Sequence, residues 1–145
     1  ISGLEIGKDL ITVENKIIVQ EYIASCYIAD SDFNNALSYL QSNKKLIESN
    51  YGVEGQKGIQ NQNNLANVYL LMGDYPKTEK ILINNLEIAE KVLGRKDPDY
   101  ALILSNLAGL YSEIGKYDLS ESFYLSALDV RKELAEEKNT DYVNL

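Results

Sequence analysis

Two aspartate pairs, Asp30 with Asp32 and Asp97 with Asp99, are the nearest this sequence comes to an acid–base or cation-binding arrangement. Each pair stands just before a run of helix-forming residues. There a carboxylate accepts the free N–H groups of a first turn and meets the positive end of the helix dipole. Capping is therefore the favoured reading over calcium ligation or proton transfer. Histidine is absent, and cysteine occurs once, at Cys26. No Cys/His zinc site, Ser-His-Asp triad or Cys-His pair can be assembled from such a set. Cys26 lies in the apolar run Ile23-Ala24-Ser25-Cys26-Tyr27-Ile28, which predicts a small core residue rather than a reactive thiol. Neither catalysis, a bound metal nor a cofactor is expected of these residues.

The amides are more informative. Placed on a helix at about 100° per residue, Gln62, Leu65, Ala66 and Tyr69 fall on one side, and Gln60, Asn63, Asn64, Asn67, Leu70 and Leu71 on the other. An asparagine offers two donors and an acceptor, so it can pair with an extended backbone without reading charge. The leucines add apolar contact. The alternative is a solvated polar face that binds nothing.

What positions such a face is a repeat. Asn64-Leu65-Ala66-Asn67-Val68-Tyr69 followed by Gly73-Asp74-Tyr75 returns 42 residues later as Asn106-Leu107-Ala108-Gly109-Leu110-Tyr111 and Gly115-Lys116-Tyr117. Asp99-Tyr100 returns as Asp141-Tyr142. The opposite shift gives a weaker copy, with Ile23-Ala24, Tyr27 and Asp32-Phe33. Each unit reads as two helices. Gly73 and Gly115 permit the left-handed stop between them, and Ser31-Asp32 replaces the glycine in the first unit. Gly94 ends a second helix, and Pro98 begins the next, where its missing N–H costs nothing. Helices are expected near 14–30, 33–51, 57–72, 75–93, 98–114 and 117–137. Ala24, Ala66 and Ala108 mark close helix contacts. Tyr27, Tyr69 and Tyr111 are expected to fill the space between paired helices.

One array over 1–145 follows, with repeats at 14–56, 57–97 and 98–139. Residues 1–13 read as the tail of a preceding unit, and 140–145 as the start of the next. The chain opens at Ile1 rather than methionine, so it is read as an excerpt. Apolar residues near its ends (Leu4, Leu10 and Ile11, or Val143 and Leu145) could support self-association.

The formal net charge is -8, which disfavours a phosphate backbone or an anionic membrane surface. No run approaches the roughly 18 apolar residues of a membrane span. No nucleic-acid or membrane contact is expected, and a neutral or basic protein or peptide is the better-matched partner. No secretory signal stands at the front, and a cytoplasmic setting is the expectation. The Asn, Ile and Lys content points to an AT-rich bacterial source.

The residues Leu65-Ala66, Tyr69, Gly73 and Tyr75, and then Leu107-Ala108, Tyr111, Gly115, Tyr117, Tyr124 and Ala127, resemble the tetratricopeptide repeat. The 42-residue spacing and the segment from Leu86 to Gly94 followed by Asp97-Pro98-Asp99 resemble its kinesin-light-chain type. Thr78, Ser120 and Asn85 depart from the alanines usual there. The resemblance implies an all-α fold, a right-handed superhelical solenoid of antiparallel helical hairpins. It also implies a non-catalytic scaffold that holds a protein or peptide in a concave groove lined by first helices. On that implication the candidate groove residues are Asn63, Asn64, Asn67, Leu70, Leu71, Ser105, Asn106 and Tyr22, with Asn64 and Asn106 matching asparagines that hold peptide backbone in related repeats. The third unit's face carries Leu102, Ser105, Asn106, Gly109, Ser112 and Glu113, and the first carries Ile18, Glu21, Tyr22, Ser25, Ile28 and Ala29. No lysine or arginine stands among them, so a grip on acidic tails through their terminal carboxylate is not expected. The competing function is a regulatory region of a signalling enzyme, a protease or kinase, whose catalytic domain lies elsewhere.

Overall fold

A computed structural model of the chain describes residues 11–143, with side chains through 139. Leu4, Leu10, Leu145 and the side chain of Val143 lie outside what is described, with most of the expected 1–13 tail. The described residues form six helices, α1 (Val13–Ala29), α2 (Phe33–Tyr51), α3 (Gln56–Leu71), α4 (Tyr75–Val92), α5 (Pro98–Glu113) and α6 (Tyr117–Val143), with no strand among them. They fall within two or so residues of the expected spans, except that α6 continues past the expected stop at 137. The chain divides into two compact units, one ending at Val53 and one beginning at Glu54.

The helix starts after Asp32 and Asp97 are capped as expected, whereas Asp30 lies at the C-terminal end of α1. Asp32, Asp74 and Asp97 accept the backbone N–H of Asn35, Lys77 and Asp99. At each hairpin turn the same pair of backbone bonds closes the first helix. Gly73 N–H donates to Leu70 and Asp74 N–H to Tyr69, at 3.0 and 2.9 Å; Gly115 and Lys116 repeat this on Ser112 and Tyr111. Ser31 and Asp32 repeat it on Ile28 and Tyr27. The motif needs a left-handed residue, and Gly73 and Gly115 both sit at φ 78°. Ser31 is driven to φ 60°, where its Cβ is strained.

In the first unit, α1 packs on α2. Ile17, Ala24, Ala36, Leu40, Asn43 and Ile47 are buried, and Tyr27 stacks on Tyr39 with ring centroids 5.8 Å apart. Cys26 departs from expectation, because it is exposed. It lies two residues, about 200°, round the helix from buried Ala24, which turns it away from α2.

In the second unit, α3 pairs with α4 and α5 with α6, and α5 also packs on α4. One apolar cluster runs through all four helices, including Ile59, Ala66, Leu82, Ala89, Ile103, Leu107, Tyr111 and Ala127. The alanines Ala24, Ala66 and Ala108 are each essentially inaccessible, as close helix approach requires. Tyr111 stacks on Phe123 of α6 at 5.5 Å and donates its hydroxyl to Glu79 of α4 at 2.8 Å, joining one hairpin to the next. Burial, then the bond and charge of Glu79, push the Tyr111 hydroxyl up to about 12.

The three departures from alanine share one solution. Thr78, Asn85 and Ser120 are all buried, and each donates to a backbone carbonyl, of Asp74, Ile59 and Ala108 respectively. The two hydroxyls and the amide N–H are thereby paired, while Asn85 Oδ1 stays buried without a partner among the described residues. Asn43 repeats the Asn85 bond one period earlier, donating to Ile17 at 3.0 Å.

Candidate protein-binding surface

In each unit by itself, the open surface is a stripe on the first helix of each hairpin. On α3 the residues left open are Gln60, Asn64, Asn67 and Leu71, spaced i, i+4, i+7, i+11, which is one stripe of a helix. One period later the stripe on α5 is Leu102, Asn106, Gly109 and Glu113. Of these, Leu102 and Glu113 are exposed and Asn106 and Gly109 are half-buried. One period earlier, on α1 and within the first unit, the stripe is Ile18, Tyr22, Ser25 and Ala29, all exposed, with Tyr22 open at 76%. Thus Tyr22, Asn64 and Asn106 occupy one repeat position.

Within the second unit, α3 and α5 are tied side by side at one end. Gln56 and Gln60 both donate to Asp99 Oδ2, at 3.2 and 3.1 Å. Asp99 thus has a second role that its place at a helix start did not reveal. Among the described residues, no three His, Cys, Asp or Glu side chains gather as a metal site would require. The amides of Asn64, Asn67 and Asn106 have no hydrogen-bond partner among the described residues, so their donors and acceptors are free for a ligand.

Two expected groove residues are placed elsewhere. Asn63 is only 4% exposed, and its Oδ1 accepts from Asn85 Nδ2 of α4 at 3.3 Å. Ser105, one period on, is half-buried; its hydroxyl donates to Ala101 and receives Arg131 of α6 at 3.3 Å. The reason is angular. Position 63 lies four residues after Ile59 and three before Ala66, both buried, so it belongs to the stripe that the second helix covers. Leu70 continues that stripe and is half-buried, whereas Leu71 is 49% exposed. The expected face was too wide by one column. A signal was present, since an asparagine repeats at 43 and 85 on the facing helices, where a core residue was due.

Antiparallel helix pairs, closed by left-handed turns and stacked at a fixed period, define a helical-repeat protein. The chain belongs to the tetratricopeptide repeat family, whose model matches residues 59–133. Repeats of this family generally mediate protein–protein interaction and typically serve as non-catalytic scaffolds. Among solved structures, BtubC (BKLC) from P. vanneervenii aligns with a TM-score of 0.74 at 20% identity, over 85% of this chain and 48% of the other. A Podosopora anserina protein assigned as a kinesin light chain, with nearly identical TPR-like repeats, aligns in two crystal structures. Their TM-scores are 0.72 and 0.69 at 17% and 18% identity, over 91% and 89% of this chain and 63% and 62% of theirs. The fold class is therefore the helical-hairpin solenoid that these neighbours share. The chain spans less than two thirds of the length of each of these neighbours. No curated protein sequence matches it. Among the described residues, no helix is long and apolar enough to cross a membrane.

Proposed function

We infer that this chain holds a protein segment or peptide against the open stripes of its first helices, without catalysing a reaction. The observation that carries the reading is the row of unpartnered amides, Asn64 and Asn67 on α3 and Asn106 on the neighbouring α5. They can bond an extended backbone, while Leu71 and Leu102 offer apolar contact beside them. The stripes carry no lysine or arginine, and Glu113 adds negative charge. A neutral or basic segment suits this lining, and the net charge of -8 favours its approach.

The test is selection of binders from a displayed library of random peptides, followed by titration of the best one by calorimetry. Replacing Asn64, Asn67 and Asn106 singly with alanine should weaken that peptide two- to tenfold each, at about 0.5–1.5 kcal/mol per lost hydrogen bond. The selected sequences should be neutral or basic. Undiminished affinity in the triple variant would show that the stripes are merely solvated.

A further inference from the structure

Two residues one turn apart on the open stripe of α5, Gly109 and Glu113, each weaken their helix and gain nothing inside the chain. Gly109 lies within α5, where glycine is a poorer helix former than alanine. The usual structural reasons for a glycine do not hold here. Its backbone is helical rather than left-handed, and a Cβ built on it would meet no atom within 4 Å. Asn67 and Ser25 carry side chains at the same repeat position.

Glu113 is the last residue of α5, so its carboxylate meets the negative end of the helix dipole. No basic residue stands in that last turn to offset it. Glu113 is exposed and has no ion pair or hydrogen bond among the described residues. Lys116 lies instead over the Tyr111 ring, 6.0 Å from its centroid. A following hairpin leaves this column open. Asn67 and Leu71 hold the same repeat positions on α3, and both are exposed with α5 packed beside them.

Given the peptide-binding reading of these stripes, on which this step rests, we propose that Gly109 and Glu113 form a subsite for a lysine or arginine of the bound segment. The segment's backbone passes close over Gly109, where no side chain intervenes, and the basic group pairs with the Glu113 carboxylate. One cation then offsets both the carboxylate and the negative helix end. Leu71, at the same position on the neighbouring α3, suits the aliphatic stem of such a side chain. Asn106, one turn before Gly109, is free to hold the adjoining backbone.

Selection from a displayed library of random peptides tests this, run in parallel on the parent protein, on Glu113→Gln and on Glu113→Lys. The parent should enrich peptides with a lysine or arginine at one fixed position. Glu113→Gln should lose that preference, and Glu113→Lys should select aspartate or glutamate there. In calorimetry the best parent-selected peptide should bind Glu113→Gln about three- to tenfold more weakly. The gap should close in about 0.5 M salt. Gly109→Ala should weaken the same peptide several-fold while raising the melting temperature. A glycine needed by the fold would lower it. Peptides that lose affinity with alanine at Asn64, Asn67 and Asn106, but show no basic preference, overturn the subsite and leave the groove reading standing. So does undiminished binding by Glu113→Gln or by Gly109→Ala. Failure of the groove reading looks different: either no peptide is selected, or the triple alanine variant binds as the parent does, and both ideas fall.

Discussion

The α1–α2 hairpin and the α5–α6 hairpin stand two periods apart and share their internal construction. Each closes its first helix with the same two backbone bonds, buries an alanine at the crossing and stacks a tyrosine of the first helix on an aromatic ring of the second. They differ in what lies outside the pair. In the second unit, Ile103 and Leu107 of α5 are buried in a cluster that includes α4, while the equivalent Val19 of α1 is open. They differ also in two details. Asn43 bonds a carbonyl across its hairpin where the later one has buried Ala127, and Ser31 holds a left-handed turn where the later one has Gly115. The difference teaches that a repeat position has no fixed energetic value. The pattern specifies an apolar surface, and a neighbouring helix decides whether that surface contributes to stability.

The sharpest break of this comparison is to truncate the same position in both hairpins. Ile103→Ala should destabilise the second unit by about 2–5 kcal/mol in urea denaturation followed by circular dichroism. Val19→Ala, at micromolar concentration, should stay within about 0.5 kcal/mol of the parent. Equal losses would mean that α1 is covered as α5 is.

The next largest effect concerns the buried amide. Asn85→Ala should cost about 1–3 kcal/mol, because it removes the bond to Ile59 and leaves the buried Asn63 Oδ1 without its donor. Alanine fits this position sterically, as Ala127 shows one period on. Adding Asn63→Ala should recover part of the loss, and a double-mutant cycle reads the coupling. A purely additive pair would remove the unpaired Asn63 oxygen from the explanation.

The smallest effect is at the turns. Ser31→Gly should stabilise the first unit by about 1 kcal/mol by relieving the left-handed Cβ, and Gly115→Ser should destabilise the second by a similar amount. Thermal melting of both variants checks the opposite signs.

Much of the fold was legible because each signal was local. Aspartate caps, glycine stops and Pro98 punctuate helices through bonds made within a few residues, and the 42-residue period multiplies each signal. The candidate surface was legible only in part. Asn64, Asn67 and Leu71 belong to an open column that a helical wheel shows. Asn63 and Ser105 were misplaced because a wheel gives angles but not the breadth of the face that a partner helix covers. Cys26 was misread for the same reason. Its run is apolar, but burial depends on a helix beyond the hairpin.

The sequence by itself determined the repeat, its period, the helix boundaries except the end of α6, and the chemistry offered at each position, since these rest on backbone geometry and short-range bonds. Only the tertiary structure decided which copy of a position is covered. Leu110 is sealed and Cys26 is open although both are apolar and equivalent. It also decided that three polar residues in alanine positions would each find a backbone carbonyl. Burial and hydrogen-bond partners are properties of the neighbour as much as of the residue, and the neighbour is set by packing.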